Sequence, residues 1–528
     1  MGIYMLINKN MKKINYIIGF TISFLVLYQP IQHDIENFFN EKKRVEYENY
    51  INSFLTRDTV SFKQSKKLPK ALRPDLKGTH DYLMLHDLNT GTIPTERILT
   101  ALDIAEQKRA SLSYANRMSE VNWSERGPNT IGGRTRALLL DPNDSTNKKL
   151  WAAGVTGGLW YTNDITVAAP TWNEVDGTWG NLAVCSISSD PNDSNTIYVG
   201  TGERMGVFST ASRGLGMWKS TDGGASWAHL SSTEGFNYVT DIIVRNESGS
   251  SVVYAGVGGH YYEGKWHGSA NTGLWRSTDG GSTWTQVSEL TADNTRYEIM
   301  DLDLGSDNRI WAGSRTNVYG HGGGDIFYSD DGTSWTKASL GTVGQMNRVI
   351  LAVAPSDANT VYAMIENNTT RKVGWIVKTT DGGANWTVYT AGTADPFPVD
   401  ANGNVLGDAN GQASYDLSLG IDPNDPNVVF AGELDVFKTT DGAASWTQIT
   451  NSGGSQYPYM HVDQHNIKFI DSDKVIFSND GGIYYTTDGG TTVNERNTGY
   501  NVSQFYSVAL HPDTGSEYVL GGTQDNGT

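Results

Sequence analysis

The chain has few cysteines, few positive charges and no long hydrophobic run. Its 528 residues include one cysteine, and 40 Lys and Arg stand against 58 Asp and Glu. A single cysteine excludes an intrachain disulfide framework, and Cys185, inside the apolar stretch Leu182–Ile187, is predicted to be a buried, inert thiol. The net charge of −18 argues against nucleic acid and against an anionic membrane surface as partners.

The most apolar uncharged run lies near the N-terminus and is short for a membrane span. It covers Ile14–Tyr28 and follows Lys9, Lys12 and Lys13. Basic residues before a short apolar run are typical of a secretory signal peptide. We therefore predict a signal over residues 1–32, a secreted or cell-surface location, and no transmembrane domain after cleavage. Because no Ala-x-Ala cleavage site follows, a retained anchor is the alternative.

The composition then changes twice along the chain. Residues 33–120 are charged and poor in Gly, with helix-like stretches at Glu41–Leu55 and Glu96–Ala115. We predict a helical or partly disordered leader there. From Val121 a β pattern begins and continues to Thr528, so residues 121–528 are predicted to form one repeat domain.

One short phrase repeats seven times between Gly158 and Val493, and a typical copy is Ser220–Trp227. Its Asp residues, at positions 164, 222, 279, 330, 381, 441 and 488, recur every 47 to 60 residues, a period typical of propellers. Ser or Thr, Asp and Gly form a tight turn in which the carboxylate accepts N–H groups and Gly supplies positive φ. The Trp is expected to pack on the hairpin. The residues predicted to be structural are Asp222, Trp227, Asp279, Trp284, Asp330, Trp335, Asp381, Trp386, Asp441, Trp446 and Asp488.

Each repeat reads as four antiparallel strands, which is the blade of a β-propeller. Asp-Pro-Asn turns, as at Asp141, Asp190 and Asp422, follow first strands, and the repeated phrase follows third strands. We predict an all-β propeller of about seven or more blades after a short helical leader. An eighth repeat begins at Tyr506 and stops at Thr528. Either its strands complete a blade begun at the N-terminal side, or the chain is a fragment of a longer protein, which we favour because folded proteins avoid unpaired strand edges.

The strand order assigns the turns to two faces. Turns after first and third strands share one face, which therefore carries the repeated phrase. Loops after second and fourth strands share the other face; these are long and irregular, and binding residues concentrate on such loops. The loop Gly258–Thr272 contains His260, Tyr262 and Trp266, which suit stacking on a sugar or a peptide. The alternative is that these aromatic residues only pack the loop on itself.

A second cluster, His461, Asp463 and His465, enters a first strand on the long-loop face. If the segment is extended, the three side chains share one side and form a metal or acid–base site. The alternative is a hydrogen-bonded histidine pair that Asp463 orients. Because no fourth ligand is identifiable, we predict no metal and no cofactor. The same face receives three arginines that suit an anionic ligand, namely Arg134, Arg136 and Arg348.

The repeated phrase resembles the Asp-box, or bacterial neuraminidase repeat, of sialidases, sortilin-type receptors and some xyloglucan-cleaving propellers. Sialidases carry an Arg-Ile-Pro type motif near the start of the propeller, whereas this chain has Gly132-Gly-Arg-Thr-Arg136. A xyloglucan-cleaving enzyme needs two carboxylates across a cleft between two propellers. The sequence singles out no such pair, so no catalytic residue is predicted.

A resemblance over Leu68–Thr528 is to large sortilin-like propeller proteins of type IX secreting bacteria. The matching segments are Lys70–Asp75, Pro94–Arg97, Trp123–Arg134, His461–His465, Asn479–Gly482 and Gly521–Gly527. This resemblance implies location and architecture more than chemistry. The predicted function is a secreted or cell-surface propeller that binds extracellular glycan or protein without catalysis. The alternative is a sialidase-like or xyloglucanase-like glycoside hydrolase that acts on extracellular polysaccharide.

Overall fold

The computed structural model divides into two compact units, Met1–Arg97 and Ile98–Thr528. It describes residues 42, 45, 86, 87, 94, 97–111 and 125–527, with gaps at 176–180, 206–210, 263–264, 290, 342–343, 390–396, 398–410, 455, 512 and 514. The predicted signal peptide and most of the predicted leader lie outside these residues. One helix, α1 (Ile98–Ser111), falls within the helix-like stretch Glu96–Ala115. No helix among the described residues is long and apolar enough to cross a membrane.

The predicted β-propeller is confirmed, with seven blades of four antiparallel strands each. The first blade contains β1 (Thr135–Leu140), β2 (Leu150–Gly154), β3 (Gly158–Thr162) and β4 (Trp172–Glu174). The second contains β5 (Val184–Asp190), β6 (Asp193–Thr201), β7 (Met217–Ser220) and β8 (Ala228–Leu230). The third contains β9 (Val239–Glu247), β10 (Ser250–Val257), the inserted hairpin β11 (His260–Tyr262) and β12 (Lys265–His267), then β13 (Gly273–Ser277) and β14 (Thr285–Gln286).

The remaining blades follow the same order without insertion of a further strand pair in the described residues. The fourth contains β15 (Glu298–Leu304), β16 (Ile310–Arg315), β17 (Ile326–Ser329) and β18 (Thr336–Lys337). The fifth contains β19 (Met346–Ala354), β20 (Asp357–Asn367), β21 (Val373–Thr379) and β22 (Thr387–Val388). The sixth contains β23 (Ser418–Ile421), β24 (Val429–Gly432), β25 (Val436–Thr439) and β26 (Thr447–Gln448). The seventh contains β27 (Gln464–Phe469), β28 (Val475–Asn479), β29 (Gly482–Thr486) and β30 (Asn494–Glu495).

The ring closes between the seventh and the first blade. Leu138 and Trp160 of the first blade share an apolar cluster with Ile476 and Tyr485 of the seventh. A last strand pair, β31 (Phe505–Leu510) and β32 (Val519–Thr523), forms a sheet of its own. Among the residues that the structure describes, this pair adds no strand to any of the seven blades.

The repeated turns lie on the same face as the turns between first and second strands. In the second blade, the Gly223 N–H donates to the Asn195 carbonyl at 2.9 Å, which joins the two kinds of turn. The Asp222 carboxylate accepts the Ser226 N–H at 2.8 Å and the Ser220 hydroxyl at 2.8 Å. We call this end of the propeller the turn face, and the opposite end the long-loop face.

The repeated turns also join neighbouring blades, which the sequence did not predict. Trp227 meets Trp151 of the preceding blade edge-on, with ring centroids 6.2 Å apart. Gly383 packs under Trp311 of the preceding blade, and a Cβ on this glycine would lie 2.8 Å from the indole ring. Glycine is required here because its φ is also positive, at +90°.

In the fourth blade the turn differs from the prediction. Asp331, rather than the predicted Asp330, accepts the turn N–H groups of Thr333 and Ser334, at 2.7 and 2.6 Å. Asp330 instead bonds to Arg309. The physical reason is length, since Ser329 to Trp335 is one residue shorter than the other turns, and the carboxylate must stand two residues after the Ser.

The seven first strands surround a central channel of about 560 Å³. Three aspartates of this wall bond to the backbone of the next blade. The Asp241 carboxylate accepts the Leu302 N–H at 2.8 Å, and Asp301 accepts that of Leu351 at 2.7 Å. Asp303 likewise accepts the N–H of Val353 at 2.7 Å. Cys185 also lines the channel, where burial raises the pKa of its thiol to about 12 and keeps it protonated.

Candidate functional site

Charged side chains converge where the channel opens on the long-loop face. First strands begin on this face and second strands end on it, so residues at those two positions meet around the opening. We call this group the channel mouth. Its members are Arg134, Arg136, Glu203, Arg204, Glu298, Arg315, Arg348, Glu366, Tyr415, Asp416, Asp463, His465 and Asp480.

Glu203 binds two of the predicted arginines. Its carboxylate accepts from the Arg134 Nη1 at 2.8 and 3.0 Å and from the Arg136 Nη2 at 3.2 Å. All three residues are buried, with 6, 7 and 1% of Arg134, Arg136 and Glu203 exposed. Burial alone would lower the pKa of both arginines, but Glu203 and the Tyr415 hydroxyl raise it. The two guanidinium groups are therefore permanently charged and internally paired.

Asp480 is the acceptor of a second network. The Tyr415 hydroxyl donates to its carboxylate at 2.9 Å, and His465 Nε2 lies 2.6 Å from it. His465 Nδ1 lies 2.9 Å from Arg136 Nη1. A guanidinium only donates, so Nδ1 is the acceptor and Nε2 carries the proton that goes to Asp480. Burial and the charge of Arg136 lower the pKa of His465 well below its usual value, which keeps the imidazole neutral.

Asp463 carries the most perturbed carboxyl group on this side of the mouth. Burial, and then the nearby Asp480 and Asp525, raise its pKa to about 7. Asp463 also shares a hydrogen bond with Asp416. This hydrogen bond lowers the pKa of Asp463 and so opposes the larger effect of burial.

The expectation that His461, Asp463 and His465 share one side of an extended strand is wrong. Strand β27 begins only at Gln464, and Asp463 has a left-handed φ of 67°, so the chain turns between His461 and the strand. His461 Nε2 lies 3.0 Å from the Asp525 carbonyl, away from His465. Among the residues that the structure describes, no group of three His, Cys, Asp or Glu side chains has metal-binding geometry.

The other side of the mouth is formed by blades four and five. The Arg204 guanidinium pairs with Glu298. Glu366 accepts from Arg371 Nη1 at 2.9 Å and from Asn347 Nδ2 at 2.6 Å. The predicted residue Arg348 lies here, 3% exposed, and donates to the Ala413 carbonyl at 3.5 Å.

The aromatic loop has a partly described structure. His260 is buried, and its ring centroid lies 5.9 Å from that of Tyr238. In the hairpin of β11 and β12, Tyr262 pairs with Lys265 through the backbone. The side chains of Tyr262 and Trp266 lie outside the described residues, so their stacking on a ligand stays a prediction.

Sequence reasoning missed eight of the thirteen mouth residues, and three of the eight bond to Arg134, Arg136 or His465, namely Glu203, Tyr415 and Asp480. Two of them had a signal: Glu203 follows a second strand directly, and Asp480 lies in the quoted segment Asn479–Gly482. Tyr415 had none, because it ends a long irregular loop and reaches the mouth only through the ring geometry.

Comparison with known proteins finds xyloglucanases. No family model matches the chain. It is 26% identical to a xyloglucanase of Paenibacillus sp. over 303 residues, which are 51% of this chain and 27% of that protein. It is 23% identical to a xyloglucanase of Hypocrea jecorina over 379 residues, 68% of this chain and 38% of that protein. The chain thus spans less than two fifths of the length of these curated relatives.

Solved propellers are similar at a lower level. A GH74 enzyme of Niastella koreensis is 17% identical, with a TM-score of 0.48 over 72% of this chain and 57% of that one. YCF48 from Cyanidioschyzon merolae is 13% identical, with a TM-score of 0.43 over 68% of this chain and 96% of that one.

Proposed function

We propose that this chain is the propeller of a glycoside hydrolase that acts on an extracellular polysaccharide, with the channel mouth as part of its active site. The observation that carries the proposal is the buried Asp463 carboxyl group, whose pKa is raised to about 7, beside the Asp480 carboxylate. Glycoside hydrolysis uses one carboxyl group as the acid and a second as base or nucleophile. The sequence similarity to xyloglucanases supports the same class of reaction.

The two carboxyl groups have different surroundings, which suits different roles. Asp463 has a pKa of about 7 because burial disfavours its charged form, so it can donate a proton to a leaving oxygen at neutral pH. Asp480 accepts hydrogen bonds from Tyr415 and His465, which fix the position of its carboxylate. We assign Asp463 the role of general acid and Asp480 that of the second carboxyl group.

The test measures the release of reducing ends from xyloglucan and from a panel of plant and bacterial polysaccharides. Wild-type protein should release them, and Asp463→Asn should lower the rate by about a hundredfold or more, the usual contribution of a general acid. Asp435→Asn is the matched control. Asp435 is also buried, with a pKa raised by burial to about 6, but it bonds to Gln448 outside the mouth. Equal rates for Asp463→Asn and wild type would contradict the assignment.

One observation favours the binding function predicted first. The Nη groups of Arg134 and Arg136 bond to Glu203, Tyr415 and His465, so the charges on this side of the mouth are paired without a substrate. A propeller that binds glycan without cleaving it needs no further residue. Binding of a polysaccharide by wild-type protein, with no reducing ends released, would establish this second function.

We further propose that the protein is exported and belongs with sortilin-like, type IX secreted propellers. The support is the basic and apolar N-terminal run and the matching segments of the sequence. Detection of the chain in the culture medium or on the cell surface, shortened near residue 32, tests export. A chain found only inside the cell would contradict it.

A further inference from the structure

Two arginines on the far side of the mouth lack the partners that buried guanidinium groups need. Arg348 is 3% exposed and has one hydrogen bond in the described structure, the 3.5 Å contact with Ala413. Arg315 is half-buried and donates no hydrogen bond to a described residue. The Nε atoms of both, like those of Arg134 and Arg136, are enclosed without a hydrogen-bond partner, so the difference lies in the Nη groups, which bond to Glu203 or His465 only at Arg134 and Arg136. Buried polar groups are nearly always paired, so these donors indicate a missing acceptor.

The electrostatic surroundings of the two arginines agree with that geometry. Burial, and then the neighbouring Arg136, lower the pKa of Arg348 to about 10. Burial, and then Arg204, lower that of Arg315 to about 9. At Arg134 and Arg136, by contrast, the carboxylate of Glu203 raises the pKa. The mouth therefore has one paired and one unpaired set of arginines.

Four nearby carboxyl groups do not supply the missing acceptor, since neither Glu298 nor Glu366 nor Asp301 nor Asp416 accepts a hydrogen bond from the two arginines in the described structure. Glu298 is paired with Arg204, and Glu366 is held by Arg371 and Asn347. These acids nevertheless limit the charge that a ligand can bring. A singly charged, planar carboxylate matches the guanidinium fork and adds one negative charge, whereas a doubly charged phosphate would be repelled more strongly by Glu298 and Glu366.

We infer that Arg315 and Arg348 bind the carboxylate of a uronic acid, so that the substrate of the mouth is an acidic polysaccharide. This inference rests on the proposed function. Arg348, Arg136 and His465 line the same channel, and His465 lies 2.6 Å from the Asp480 carboxylate, so Arg348 and the acids share one opening. A chain of sugars that reaches the two acids can therefore present a neighbouring carboxylate to the two arginines.

Calorimetry with a galacturonate trisaccharide and its carboxyl-reduced galactose counterpart tests the inference. Wild-type protein should bind the acidic sugar at least tenfold more tightly than the reduced one, since loss of one charge-assisted pair of hydrogen bonds removes about that factor. Arg315→Gln and Arg348→Gln should each remove this preference. Arg126→Gln is the control, because it makes the same charge change at a half-exposed side chain away from the mouth.

The outcomes separate this inference from the proposed function. Equal affinity for the two sugars, or an unchanged preference in Arg315→Gln, overturns the uronate assignment even if polysaccharide is hydrolysed. Arginine-dependent binding of the acidic sugar without hydrolysis supports the assignment and contradicts the hydrolase. If Arg348→Gln does not fold, Arg315→Gln decides, since its side chain is only half-buried.

Discussion

The turn face and the channel of this propeller both depend on aspartates, but they hold them in opposite ways. On the turn face, hydrogen bonds from Ser226 to Asp222 and from Thr283 to Asp279 lower the pKa of each aspartate to about 2. In the channel and at its mouth, burial raises the pKa of Asp241 and of Asp463 to about 7. Aspartate is thus ionised at neutral pH where it forms the turns, whereas in the channel and at its mouth it can hold a proton near pH 7.

This difference between the turn face and the mouth indicates which residues of a repeat protein are candidates for chemistry. The turn-face aspartates recur with the repeat because each blade needs the same turn. The mouth residues do not recur, since Glu203, Asp463 and Asp480 each take a different partner. A visible, repeated residue therefore indicates architecture here, and the irregular residues carry the candidate site.

The largest expected effect comes from breaking the mouth network. Glu203→Gln leaves Arg134 and Arg136 buried without their charge partner, which should lower the free energy of unfolding by about 3 kcal/mol or more. Urea unfolding followed by tryptophan fluorescence measures it. Asp222→Asn is the control on the turn face and should cost clearly less. Equal losses in the two variants would remove the distinction between the two faces.

A second, smaller effect tests the contact between blades on the turn face. Gly383→Ala adds a Cβ 2.8 Å from Trp311 at a φ of +90°, and should cost about 2–3 kcal/mol from strain and overpacking together. Gly320→Ala is matched in φ, at +79°, but has no atom within 4 Å. It should cost only about 1 kcal/mol, the part due to backbone strain. Similar thermal unfolding of both variants would exclude the contact as the cause.

The third prediction concerns pH, where the two sets of aspartates act against each other. The pKa of about 7 at Asp463 and Asp241 lies above the unfolded value of about 3.9, so their contribution is complete below pH 4 and is lost as pH rises to 7. The lowered pKa of Asp222 works in reverse, because its contribution is lost as pH falls from about 4 to 2.

Stability should therefore be greatest in the mildly acidic range near pH 4 to 5. Thermal unfolding from pH 3 to 8 measures the profile, and Asp463→Asn should flatten the decline between pH 4 and 7. A decline of unchanged slope in that variant would show that Asp463 is not protonated in the folded protein.

The smallest expected effect distinguishes two adjacent residues of one turn. Asp331→Ala removes the acceptor of the Thr333 and Ser334 N–H groups, whereas Asp330→Ala removes only an exposed ion pair with Arg309. The melting temperature should fall slightly for Asp331→Ala and less for Asp330→Ala. The reverse order would show that Asp330, as first predicted, is the aspartate that stabilises the turn.

Local sequence patterns were sufficient for the propeller and for the assignment of turns to faces. Asp, Gly and Trp at fixed spacing define a turn through contacts within a few residues, so the repeat can be read directly. The misassigned Asp330 shows the limit, because two aspartates are adjacent in a turn that is one residue shorter than the others. The hydrogen bond from the Ser329 hydroxyl to Asp331 decides which of the two forms the turn.

The candidate site could be predicted only in part, because its contacts join distant segments. Arg134 and Arg136 were identified by their position at a first strand, but their partner Glu203 lies in the next blade. His465 was expected to face His461, and the left-handed φ at Asp463 turns the chain away instead. Side-chain partners across a ring depend on closure of all seven blades, which no short sequence window contains.

The aspartates that link first strands also mean that neighbouring blades are joined by different contacts in different parts of the ring. The inner strands of blades three, four and five are joined by hydrogen bonds from backbone N–H groups to the carboxylates of Asp241, Asp301 and Asp303. The join between blades seven and one combines an apolar cluster that includes Trp160 and Tyr500 with hydrogen bonds such as that from Trp172 Nε1 to the Arg496 carbonyl at 2.7 Å. A displacement of the first strand of blade four should therefore be passed to blades three and five through their shared carboxylate bonds.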